Sequence, residues 1–135
     1  MIKDIVLNGE LYAKIIRPDY DMEGIQFFTN NGLSQQVGYM NRPSGYVIEP
    51  HLHLRHQRTV QDTNEVLMIL KGVVRVTFFT EKKQRFAETV VRQGDVLLLI
   101  KGGHGFEVIE KANIIEVKQG PYAGDADKER FGYEE

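Results

Sequence analysis

The chain contains no cysteine, which excludes disulfides, thiolate metal sites and cysteine nucleophiles; a transition metal would have to be held by imidazole nitrogen and carboxylate oxygen. It also lacks an excess of either charge. Seventeen Lys and Arg stand against nineteen Asp and Glu, for a net charge of −2. With no basic excess to neutralise phosphates, nucleic acid is not an expected partner. Long apolar runs are missing as well. No segment approaches the roughly 18 apolar residues that span a bilayer, and the opening MIKDIVLNGE has no unbroken hydrophobic region of a secretory signal. The expectation is a soluble, cytoplasmic protein with no membrane partner. Nor does a linker interrupt the 135 residues, 41% of them hydrophobic, so one domain over 1–135 with one core is expected.

What is present is a succession of short β-branched and aromatic runs broken by Gly, Asn, Pro or charged turns, with no helical period. Strands are predicted at Leu11–Ile16, Ile25–Thr29, Gln35–Met40, Tyr46–His53, Val66–Leu70, Val73–Thr80, Phe86–Arg92, Val96–Ile100, Phe106–Glu110 and Asn113–Lys118. An all-β domain of so many strands packs as two sheets or closes into a barrel. Val74, Val76 and Phe78 share one face while Arg75 and Thr77 take the other, the pattern of a half-solvated antiparallel strand. Val66–Leu70 and Val96–Ile100 are apolar on both faces, so something beyond the core must cover them, and a homodimer interface would supply that cover. Glu81-Lys82-Lys83-Gln84 reads as a hairpin loop. Beyond Gly120-Pro121 the charged tail 120–135 loses periodicity and is expected to carry no chemistry.

The chemistry-bearing residues fall into a pattern. His51-Leu-His53 ends one run, Glu65 heads another, and His104 follows the Gly94-Asp95 turn and a further strand. Residues i and i+2 of a strand share a face, so two imidazoles can converge on one point that a carboxylate and a third imidazole complete. His104 is in phase with Phe106 and Val108, and Glu65 with Leu67 and Ile69; both are expected to face the core, where each needs a partner. The phase of His51 and His53 is open. If Ile48, Leu52 and Leu54 are buried the two imidazoles meet water, whereas a reset at Pro50 turns them inward.

These residues resemble the cupins, small antiparallel jelly-roll barrels. The first cupin motif is similar to Gly45, YVIEP, His51-Leu-His53 and then Glu65, VLMILK, Gly72; the second to Gly94-Asp95, VLLLI and Lys101-Gly102-Gly103-His104. The resemblance spans 45–108. There are departures: eleven residues separate His53 from Glu65, Ile100 stands in place of the turn proline, His104 comes one residue early, and the Asn that often follows the last His is missing. The run from Glu116 through Gly120-Pro121-Tyr122 to Asp127 is also similar to the end of the cupin domain of mannose-phosphate isomerase and related sugar-processing proteins.

The resemblance implies an antiparallel jelly roll (double-stranded β-helix) in which His51, His53, Glu65 and His104 bind one divalent transition metal, Zn, Mn, Fe or Ni. Such an ion polarises a carbonyl, stabilises an enediolate or activates dioxygen. Arg55, His56 and Arg58 in the long gap, with Phe106, are the candidate substrate-binding residues, and the paired guanidinium groups suit an anionic small molecule. The expected function is therefore metal-dependent isomerase, epimerase or oxygenase chemistry on an anionic or carbohydrate-derived molecule. A non-catalytic sugar-binding module is the alternative.

Overall fold

A computed structural model describes residues 1–133. The chain forms eight strands and one short 3-10 helix, Gly124–Asp127. The strands are β1 (Ile2–Leu7), β2 (Glu10–Ile16), β3 (Gly24–Phe27), β4 (Gly38–Asn41), β5 (Glu65–Phe79), β6 (Arg85–Arg92), β7 (Val96–Leu99) and β8 (Gly103–Lys118). The fold is all-β, as expected. Two compact units divide it: unit 1 comprises 1–20 with 63–135, and unit 2 comprises 21–62.

Unit 1 is one strongly curled antiparallel sheet, a half-barrel. Its axis is β5, which is paired along one edge with β8 from Glu65↔Lys118 to Phe79↔Gly103. Along the other edge β6 and β7 follow each other, β7 opposite 65–68 and β6 opposite 73–79; β7 in turn pairs with β2, and β2 with β1. Asp95 locks the turn between β6 and β7. It is buried and accepts hydrogen bonds from the Arg17 guanidinium at 2.6 Å and the Arg92 amide at 2.7 Å, while the Gly94 amide and Asp95 carbonyl bond Ile69.

Straight strands cannot account for the packing. Positions 65 and 78 would lie about 43 Å apart at roughly 3.3 Å per residue, yet Glu65 lies 3.8 Å from His104, the cross-strand partner of Phe78. The β5–β8 pair therefore folds back on itself. Its register slips between Ile69 and Val74, the place of the fold, as bulges that bend a ladder do. At the bend Gly72 has φ +92°, and a Cβ there would lie 2.2 Å from the Lys111 carbonyl oxygen. Only glycine fits this close crossing. Folding back lets Leu67 and Ile69 share one core with Val74, Val76 and Phe78, joined by Ile5, Tyr12, Ala13, Ile15, Val91, Leu97 and Leu99.

The predicted strand pairs 66–70 with 73–80, and 106–110 with 113–118, are thus single bent strands, and Gln35–Met40 is realised as β4, Gly38–Asn41. The hairpin at 81–84 is present between β5 and β6. Strand β1 was not foreseen. Of its residues only Ile5 is buried, so the alternation that marks a strand is almost absent.

Unit 2 holds the β3–β4 hairpin, followed by an irregular segment. The strand expected at Tyr46–His53 is not formed. Pro43 and Pro50 lack the N–H a ladder needs, and the Pro43 carbonyl turns back to accept the Tyr46 amide at 3.2 Å. Tyr46, Val47, Ile48, Leu52 and Leu54 are all exposed. No helix is long and apolar enough to cross a membrane among the described residues.

The bend predicts a difference between two glycines. Gly9 also has a positive φ, but a Cβ there meets nothing within 4 Å. By urea unfolding, Gly9→Ala is expected to cost about 1 kcal/mol, and Gly72→Ala at least about 3 kcal/mol, because strain and a backbone clash add. Equal losses would show that the crossing at Gly72 is not tight.

Candidate functional site

The fold-back carries the two ends of β5 and β8 to one place. Glu65 opens β5 in phase with Leu67 and Ile69, both buried, and His104 lies near the start of β8 opposite the buried Phe78, in phase with Phe106 and Val108, which are exposed. The Glu65 row is buried as read from the sequence, whereas the row of Phe106 and Val108, expected to face the core, is not. The Glu65 Oε2 and His104 Nε2 atoms stand 3.8 Å apart, with side chains 14% and 25% exposed.

Asn64 and Tyr12 set the approach to His104. The buried Asn64 donates to the Ile100 carbonyl at 2.9 Å, and the Tyr12 carbonyl accepts the Ile100 and Lys101 amides. These bonds fix the turn that leads into His104. Gly102 completes it at φ +75°, where a Cβ would meet the Phe79 carbonyl at 2.4 Å and the Tyr12 ring at 2.8 Å.

Burial is the main cause of the electrostatics here. Glu65 is pushed up to about 7, first by loss of solvent, then by a hydrogen bond to the Glu116 side chain and by that residue's charge; Lys118 and Lys128 oppose the shift. His104 is lowered, chiefly by burial and slightly by Lys128, with Glu116 acting the other way. Near neutrality the site therefore holds a carboxyl close to half-protonated beside an imidazole that stays neutral. A pair of groups poised this way can give and take protons.

A cleft of about 460 Å³ opens on the pair, with Thr63, Phe79, Gly103, Gly105, Lys128 and Tyr133 among its lining. The C-terminal segment was expected to take no part in chemistry. Instead residues 127–131 and Tyr133 form one wall, with Asp127 accepting the Thr63 hydroxyl at 2.7 Å and Phe131 packed edge-on against Phe79. Residues 134 and 135 of that tail lie outside the described residues. Glu116 was also unassigned; it is an exposed residue of β8 paired opposite the buried Leu67.

The other predicted residues lie in unit 2. His51 and His53 are exposed, with ring centroids 5.4 Å apart, and the His51 Nδ1 is 2.8 Å from the Glu49 carbonyl. That arrangement has Nδ1–H donating and leaves Nε2 as the acceptor. His56 Nδ1 stands likewise 3.1 Å from the Leu54 carbonyl, and Arg55 and Arg58 are exposed. Phe106 lies beside His104, ring centroids 5.4 Å apart, and lines a neighbouring hollow with Arg75, Arg85 and Tyr133. The structure thus brings together two pairs, Glu65 with His104 and His51 with His53. Among the described residues no group of three or more His, Cys, Asp or Glu is disposed to hold a metal. The donors of unit 1 therefore do not by themselves fit a divalent ion, and the chemistry here is derived from protons.

Comparison with protein-family models, with curated proteins and with solved structures finds no match.

The raised Glu65 predicts a pH signature. A carboxyl whose folded pKa exceeds its unfolded value stabilises fully below about 4.5 and loses that contribution as pH rises through about 7. His104 acts in the opposite sense, stabilising above 6.5 and losing this as pH falls through its lowered value. At pH 8, Glu65→Gln is expected to be more stable than the parent by about 1 to 3 kcal/mol, an advantage that vanishes near pH 4. Urea midpoints at the two pH values check this; a deficit at pH 8 would mean that the ionised carboxylate is well solvated or paired.

Proposed function

We propose that unit 1 is a cupin-like jelly-roll module that takes a small anionic or carbohydrate-derived molecule into the cleft and moves protons on it, as an isomerase or epimerase does. The observation that carries this reading is the 3.8 Å approach of a carboxyl raised to about 7 to a neutral imidazole inside the cleft. In the forward step the free imidazole nitrogen of His104 removes a proton from a carbon next to a carbonyl. Protonated Glu65 gives its proton to the carbonyl oxygen, so the C–H electron pair becomes the carbon–carbon double bond of an enediol. Return of a proton from His104 to the neighbouring carbon gives isomerisation, and protonation of the same carbon on its opposite face gives epimerisation; in either case an enediol hydroxyl passes its proton back to the Glu65 carboxylate as the carbonyl re-forms. Positioned acid–base groups of this kind contribute about 10² to 10⁴-fold in rate.

Exchange of substrate C–H for deuterium in D₂O, followed by proton NMR over a panel of aldose and ketose phosphates, is the test. One member of the panel is expected to lose its α-proton signal. Glu65→Gln and His104→Ala should each slow exchange at least about 100-fold while circular dichroism stays unchanged. Full exchange in both variants, or none with any member, would overturn the acid–base reading; ligand binding without exchange would leave a binding module.

A second reading adds a divalent ion held by the exposed imidazole pair of unit 2, His51 and His53. It is favoured by the His51 Nδ1–Glu49 contact, which orients Nε2 as second-sphere hydrogen bonds to metal-ligating imidazoles do. Elemental analysis for Zn, Mn, Fe and Ni is expected on this reading to find one equivalent, lost in His51→Ala and in His53→Ala. Metal-free protein that still catalyses exchange would exclude it.

A further inference from the structure

We propose that Lys128 is the anion anchor of the cleft, seating a carboxylate or phosphate group of the ligand beside Glu65 and His104. This rests on the reading of the cleft as a small-molecule site and goes further, because it assigns recognition of the charged group to the C-terminal segment rather than to Arg55 and Arg58.

The argument begins with what the neighbours of Lys128 do. Asp127 accepts a hydrogen bond from Thr63, Glu129 is ion-paired with Lys83, and Arg130 faces Asp125 at 3.9 Å. Of the two cations in this run, Lys128 is the one with no carboxylate within ion-pair distance among the described residues. It lines the cleft, and its charge is felt at both Glu65 and His104. An ammonium group that touches the cavity and is not already neutralised is the group to which a small anion would go.

The wall that carries it is built rather than draped. Phe131 meets Phe79 edge-on at 5.0 Å, and Tyr133 meets the same ring at 5.7 Å. The grooves for both rings exist because β8 places glycines beneath them. A Cβ at Gly103 would lie 2.9 Å from the Phe131 ring, and one at Gly105 would lie 2.4 Å from the Tyr133 hydroxyl. With Asp127 tied to Thr63 at one end and the rings seated at the other, the backbone of Lys128 is held over the cleft. A volume of about 460 Å³ is within the range of small-molecule sites.

The experiment is a ¹⁵N-edited NMR titration of the full chain with inorganic phosphate and with malonate, and with glucose as the neutral probe. Both anions are expected to shift the amides of Gly103, Gly105 and residues 127–130. Affinity should fall at least 10-fold in Lys128→Ala, persist in Lys128→Arg, and be unchanged in Lys82→Ala, a control on the exposed hairpin. Phe131→Ala, which frees the wall, should also weaken both anions while leaving the sheet folded. Equal anion affinity in Lys128→Ala, or shifts confined to residues outside the cleft, would overturn the assignment. If glucose shifts the cleft amides and neither anion does, the anchor is refuted and the small-molecule site stands; if no probe reaches these amides, both fall.

Discussion

Everything in unit 1 depends on the fold-back of the β5–β8 pair at Gly72. An extended ladder of that length buries little, since only one further layer can cover each face. Bent double, the same two strands put Leu67 and Ile69 in one core with Val74, Val76 and Phe78. The same bend brings Glu65 and His104, which the ladder alone would hold far apart, to 3.8 Å. Core and candidate site thus have a common cause. The lack of a side chain at position 72, where the Lys111 carbonyl crosses, permits both.

Burial then does the electrostatic work. A carboxylate at the edge of an apolar core loses solvent, and the nearby Glu116 adds repulsion instead of relief, so Glu65 retains its proton to about 7. An imidazole in the same surroundings loses its charge more readily. The two groups are pushed towards each other in proton affinity, which suits exchange of protons with a bound molecule. Neither shift needs a metal; both follow from where the strands place the side chains.

The parts of this arrangement visible in the sequence are those governed by strand alternation. Glu65 shares its phase with the buried Leu67 and Ile69, so its inward direction could be read from residue order; the apolar row of His104, Phe106 and Val108, stays exposed, and it is the pairing of His104 with the buried Phe78 that sets its side of the sheet. Alternation failed at Tyr46–His53, where it suggested a strand but Pro43 and Pro50 deny the ladder its donors. It also failed at Ile2–Leu7, where a strand forms with one buried side chain and hence almost no pattern. The role of 127–133 was hidden for another reason. Charged residues there read as solvated, and the contacts that seat the segment are made by Phe131 and Tyr133 over Gly103 and Gly105, residues too distant in sequence for any local pattern to pair. Likewise the hydrogen bonds that Asn64 and the Tyr12 carbonyl make to the turn before His104 are long-range.

The central claim is that Glu65 is a partly buried acid 3.8 Å from His104, and the most direct measurement is a site-resolved ¹³C NMR titration of the Glu65 side-chain carboxyl in the full chain. The expected result is a midpoint near 7, accompanied at the same pH by a shift of the His104 ring signals. A midpoint near 4.5, the ordinary value for a glutamate, with His104 unresponsive, would contradict it.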